Sequence, residues 1–158
     1  LVKGFEEKRA VRKKYLAGIP TACIILFVSH PIGRSIWYFS LFWLIPIVIL
    51  VFSEKIEERL RDKDIPVIYL YALAATFVDH CVGSILFLYL VGIPAIYWRI
   101  AIPYVPLERM VYALGITLFY LFIKKSLEAL QTVIAVGILH LEVLEERSIE
   151  AETLYRAQ

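Results

Sequence analysis

The sequence predicts an all-α integral membrane protein: a polytopic helical bundle of about four transmembrane helices followed by a C-terminal amphipathic helix. Three observations lead there. Hydrophobic residues make up 60% of the 158, above the roughly half that soluble domains carry, and the mean hydropathy is +0.71. The charged residues, 20% of the chain, cluster in 3–14, 54–64 and 142–156. Between the clusters lie apolar runs near the roughly 20 residues that one crossing requires.

Residues 1–14 contain Lys3, Lys8, Arg9, Arg12, Lys13 and Lys14. They read as a charged, basic cytoplasmic segment, not as a signal peptide, which needs an apolar core behind a short basic start. Residues 15–33, "YLAGIPTACIILFVSHPIG", form the first span, broken at its outer end by His30, Pro31 and Gly33. Residues 36–53 form the second, with a kink expected at Pro46. That helix is expected to continue into "EKIEERLRDKD", with Glu57 and Arg61 as i,i+4 partners.

Residues 65–103 allow two readings. One is a single span over 66–91 followed by an irregular outer loop, 92–107. The other is two short spans joined at Gly83 and Ser84. Cationic residues gather on the cytoplasmic side of membrane proteins, and a single crossing puts Lys55, Arg59, Arg61, Lys63, Lys124 and Lys125 with the basic N-terminal segment. Arg34, Arg99 and Arg109 alone then face outward. The expected topology is four spans (15–33, 36–53, 66–91 and 108–123) with both termini cytoplasmic. Residues 126–158 carry Leu127, Leu130, Ile134, Leu141 and Leu144 at helical spacing, an amphipathic helix for a membrane surface or a partner. A fifth span over 126–141 is the alternative, and His140 there reads as a packed or interfacial histidine.

The chemistry-bearing signal is "FVDHCVGS" at 77–84. Asp79 lies about 21 Å along a helix that begins at Ile65, inside the apolar core. A carboxylate at the middle of a spanning helix costs about 2.5–3.5 kcal/mol, so it is expected to turn inward and meet a cation. The candidate binding residues are Arg34, Asp79, His80, Trp98, Arg99, Glu108 and Arg109, all expected at one level near the outer face. Two readings compete: a charge pair that only locks the bundle, and the wall of a pocket open to the outside. On α-helical spacing, Ala72, Thr76, Asp79 and Gly83 make one inward stripe, and Glu108, Tyr112 and Gly115 another. Trp37, Tyr38, Trp98 and Tyr104 read first as interface anchors, and Gly83, Gly92 and Gly115 as points of close helix contact.

No GxSxG, HExxH or P-loop is present, and Asp79 and His80, as neighbours on a helix, point about 100° apart. The sequence therefore predicts no enzyme. Cys23 and Cys81 lie in apolar runs without metal-ligand spacing, so neither a metal nor another cofactor is expected. Basic residues interleaved with acids at span ends exclude a nucleic-acid surface.

Four stretches, "SHPIGRSI", "VDHCVGS", "GIPAIYWRIAIPYVPLER" and "PLERMVYALG", resemble the substrate-binding S-component of energy-coupling-factor vitamin transporters over about two thirds of the chain. The resemblance implies a six-helix protein whose first two helices precede Leu1, with ligand held near the outer face. It also implies a membrane scaffold subunit and cytoplasmic ATPases as partners. The functional expectation is a subunit that captures a small polar or anionic solute for micronutrient uptake. The alternative is a structural or assembly subunit of a larger membrane complex, with the C-terminal helix as its partner surface. A membrane-embedded enzyme is a third class, and it would need acid or base groups from helices that precede Leu1.

Overall fold

The computed structural model describes the backbone of residues 15–156 and the side chains of 15–140. The basic segment 1–14 lies outside the described residues, as do the side chains of Leu141, Glu142, Leu144, Glu145 and Glu146. Every regular element among the described residues is helical. In order they are α1 (Gly18–Ser29), α2 (Pro31–Ser35), a 3-10 segment (Trp37–Trp43), α3 (Leu44–Val51), α4 (Ser53–Arg59), α5 (Asp64–Leu86), a π turn (Phe87–Val91), α6 (Ala95–Ala101) and α7 (Tyr104–Arg156).

Proline sets most of these boundaries. A proline lacks an N–H and fixes φ, so it is tolerated where a helix begins and resisted inside. Pro20, Pro31, Pro46, Pro66 and Pro106 all fall within the first three residues of a helix. Pro94 caps α6, and Pro103 immediately precedes α7. Pro46 therefore does not kink a long second span, as the sequence suggested. It is buried in the first turn of α3, where a 3-10 segment gives way to α-helix. The sharp bend, 64°, comes instead at Phe52, between α3 and α4.

The first expected span is also divided. Helix α1 has 12 residues, a rise of about 18 Å against a hydrocarbon core of about 30 Å. It stops at His30, whose extended backbone and side chain cap α2, Nδ1 accepting from the Ile32 N–H at 3.3 Å. Helix α2 then folds back closely on α1. A Cβ built on Gly33 would stand 1.9 Å from the carbonyl oxygen of Phe27, closer than any side chain permits. Around Gly83 and Gly115, in contrast, nothing lies within 4 Å of such a Cβ. The close-contact glycine is Gly33, and Gly92, at φ +68, ends the π turn through an N–H bond to Phe87 O at 3.1 Å.

Residues 65–91 form one continuous helix rather than two short ones: α5 and the π turn together give a 28-residue apolar run, Asp64–Val91. It is the central helix, and α1 and α3 both pack against it. Phe27, Phe39, Trp43, Phe77, Cys81 and Trp98 make the main core. Phe39 is its hub, with ring centroids 5.8 Å from Phe27, 5.1 Å from Trp98 and 5.8 Å from His80. A smaller cluster of Ala17, Ile49, Leu50 and Ala74 seals the other end of α3 against α5. Near α4, the Tyr71 hydroxyl donates to Glu57 Oε1 at 2.6 Å.

Contacts divide the chain into a unit ending at Thr117 and a second unit from Leu118 onward. Within the first, Val105, Arg109, Ala113 and Thr117 form the buried face of α7. Their spacing of four differs from the expected stripe of Glu108, Tyr112 and Gly115, which is exposed. In the second unit, Leu127, Leu130, Val133, Ile134, Val136, Ile138 and Leu139 are all exposed. Glu128, Gln131 and Thr132 share one side of the helix there, and His140 is exposed as well. Among the described residues two helices are long and apolar enough to cross a membrane, Asp64–Val91 and Tyr104–His140, or three if the bent pair Trp37–Arg59 counts as one.

Candidate functional site

Polar residues of α5 and α7 meet where the two helices approach each other. Thr76, on the buried side of α5, stands opposite Arg109 on the buried side of α7. Arg109 Nη1 donates to Thr76 O at 3.4 Å, and the Thr76 hydroxyl, bonded to Leu73 O at 2.9 Å, lies 3.5 Å from Arg109 O. One turn further along α5, Asp79 Oδ2 is 3.8 Å from Arg109 Nη1. On the other side Glu108 Oε2 is 3.0 Å from Arg109 Nη2. The Tyr112 ring lies under the guanidinium, with 4.8 Å between its centroid and Cζ, a cation–π contact. The guanidinium itself is only 10% exposed, while the Asp79 side chain is 87% exposed. The expected ion pair is therefore present, but it has a buried cation and an outward-facing carboxylate.

Beside this pair is a cleft of about 380 Å³, within the usual range of small-molecule sites. Asp79, His80, Ser84 and Arg109 supply its polar corner, and the 3-10 segment, the π turn and α6 supply aromatic and aliphatic walls, with Phe39, Phe87, Tyr97 and Trp98 prominent. A second groove of about 720 Å³ runs between α5 and α7 and shares Asp79 and Arg109 with the first. The ion pair thus stands between the two spaces. Two nitrogens at the polar corner, His80 Nε2 and Arg109 Nε, are buried and have no hydrogen-bond partner among the described residues. Such atoms are costly to leave unsatisfied.

Of the seven residues expected in the site, Asp79, His80, Trp98 and Arg109 converge on the cleft. Glu108 is present indirectly, through its bond to Arg109. Trp98 is not an interface anchor. It is buried, its indole N–H donates to Ile93 O at 3.1 Å, and its ring meets Phe27 edge-on at 5.5 Å, so it forms a fixed wall. Arg34 is exposed and its Nε donates to Val28 O at 3.4 Å. Arg99 is exposed on α6. Neither lines the cleft. His30 is likewise elsewhere, 5.0 Å from the Tyr89 ring.

Sequence reasoning did not assign Phe39, Phe87 and Tyr97 to the site, because in an apolar chain aromatics carry no mark of their direction. No pattern marked the inward face of α7, because Val105, Arg109, Ala113 and Thr117 share no chemical character. Cys23 and Cys81 are both buried and free. No group of three or more potential metal ligands occurs among the described residues.

Fold and site together define a helical protein with membrane-length apolar helices and an aromatic-walled cleft that has a charged corner. No family model matches this chain, and neither a curated protein nor a solved structure aligns with it.

Proposed function

We propose that this chain is a membrane-embedded solute-capture subunit, binding a small polar or anionic solute in the cleft beside Asp79, His80 and Arg109. The observation that carries the reading is the cleft of about 380 Å³ itself, where Asp79, His80, Ser84 and Arg109 gather at one corner of otherwise aromatic and aliphatic walls. In this reading the chain crosses the bilayer four times with both termini cytoplasmic, and the cleft opens to the outer side. The resemblance to energy-coupling-factor S-components supports a membrane scaffold and cytoplasmic ATPases as partners in micronutrient uptake.

A thermal-shift screen of small solutes on the purified chain tests the proposal. A ligand at 100 times its Kd adds about 2.7 kcal/mol of stability. Asp79→Asn is expected to weaken any such shift by loosening the Arg109 guanidinium, and Arg99→Ala, outside the cleft, to leave it intact. A broad screen with no shift overturns solute capture.

The second reading, a structural or assembly subunit, is favoured by the exposed apolar surface of Leu127–Leu139. The run Tyr104–His140 has 37 residues, well beyond the roughly 20 that one crossing uses, and it contains Lys124 and Lys125. The surplus would seat against a partner helix. Deleting the residues after Lys125 is then expected to abolish complex formation while solute binding persists.

A further inference from the structure

We infer that the cleft selects an organic cation: a small molecule with an apolar, ring-bearing body and an ammonium end that pairs with the Asp79 carboxylate. This deepens the solute-capture reading and rests on it, taking its polar branch over its anionic one.

The charged groups at the corner differ in what they leave open to a ligand. Arg109 is the one cation lining the cleft among the described residues, and its charge is already engaged. Its Nη2 faces Glu108 Oε2 at 3.0 Å, its Nη1 faces Thr76 O at 3.4 Å, and the Tyr112 ring centroid lies 4.8 Å from Cζ. His80 Nε2 and Arg109 Nε are enclosed by protein, so neither meets an entering molecule. Asp79 is the reverse. Its side chain is exposed, and among the described residues its one ionic partner is Arg109 Nη1, 3.8 Å from Oδ2. Glu108, the closer carboxylate, offsets the guanidinium, and Asp79 is left to bring a surplus negative charge to the cleft.

The walls favour the same sign of ligand. Phe87 and Tyr97 line the cleft and are exposed, and Phe39 and Trp98 complete its wall as buried rings. Aromatic faces are electron-rich and attract an ammonium group. An entering carboxylate or phosphate would meet those faces, the like charge of Asp79 and a guanidinium already paired, and would lose its water for no compensating cation. A neutral molecule would gain the apolar walls but leave Asp79, midway along an apolar run of 28 residues, without the counter-charge that such a group normally finds. A cation on a ring-bearing body satisfies the carboxylate and the walls together.

The test uses four probes of similar shape that differ at one end: benzylamine, which is an ammonium at neutral pH, benzyl alcohol, benzoate and toluene. Each is radiolabelled and equilibrated with the full chain in nanodiscs of zwitterionic lipid, with empty discs correcting for partition. Benzylamine is expected to be retained about tenfold more tightly than benzyl alcohol, the size of one exposed ion pair with a cation–π contact, and benzoate to be retained least. In Asp79→Asn, benzylamine is expected to fall to the level of benzyl alcohol, while toluene is unchanged and so reports an intact fold. Gly83→Leu, which fills the cleft and not the groove between α5 and α7, is expected to abolish retention of benzylamine. Benzyl alcohol or benzoate held as tightly as benzylamine overturns the cation class and leaves solute capture standing. Undiminished benzylamine retention in Asp79→Asn or in Gly83→Leu also overturns it. Retention of none of the four above empty discs overturns solute capture itself.

Discussion

Arg109 and Thr76 hold each other across the α5–α7 contact: Arg109 Nη1 donates to the Thr76 carbonyl at 3.4 Å, and the Thr76 hydroxyl lies 3.5 Å from the Arg109 carbonyl. Both residues are buried, so this contact aims the guanidinium at the cleft. The outward carboxylate of Asp79 then adjusts it without anchoring it. Stability and binding should therefore respond differently to the two residues.

Asp79→Asn is expected to change thermal stability by under about 1 kcal/mol, because its side chain is 87% exposed and the pair is long. Thr76→Val is expected to cost about 0.5–1.5 kcal/mol through the lost hydroxyl bonds. Thermal unfolding of the two variants in one detergent gives the order. A larger loss from Asp79→Asn would mean that the pair holds the helices together.

Gly33→Ala should be severe, since its Cβ would meet the Phe27 carbonyl at 1.9 Å and backbone has to move. Overpacking of this kind costs roughly 1–3 kcal/mol. Gly83→Ala, with nothing within 4 Å of its Cβ, is expected to be neutral or up to about 1 kcal/mol stabilising, as in any helix interior. The difference between the two midpoints measures how tightly α2 folds onto α1.

Tyr89→Phe removes the hydroxyl bond to Leu26 O, 2.8 Å long, which ties the π turn to α1. A loss of about 1 kcal/mol is expected, together with faster backbone hydrogen exchange around Phe87–Val91. Unchanged exchange there would show that the turn is held by Gly92 and its neighbours alone.

Cys23 and Cys81 are buried in the core. Both are expected to resist maleimide in native membranes and to react fully after denaturation, read by mass spectrometry of the intact chain. Rapid labelling of either thiol in native membranes would mean that the core opens.

What the sequence disclosed, and what it hid, follows from how apolar the chain is. The single helix over 66–91 was legible from the cations, which one crossing gathers on one side and two short spans would scatter. The meeting of Asp79 with an arginine was legible because an unpaired carboxylate in that run is costly. The inward face of α7 was not, since apolar residues surround the helix and periodicity picks no side. For the same reason Trp98 was read as an interface ring when it is a core ring. Thr76 contributes a backbone carbonyl, a group that no side-chain pattern reveals. A kink was expected at Pro46 and a continuous helix through Phe52, but Pro46 sits in the first turn of α3, where proline is tolerated, and the bend falls at Phe52.

The central claim, a solute cleft beside Asp79 and Arg109 open to the outer side of the membrane, is tested most directly at Gly83. This residue lines the cleft and has room for a side chain. Gly83→Cys in sealed, right-side-out vesicles, treated with a membrane-impermeant thiol reagent, is expected to label within minutes, with the buried native thiols silent. Labelling only after permeabilisation, or none at all in folded protein, would contradict it.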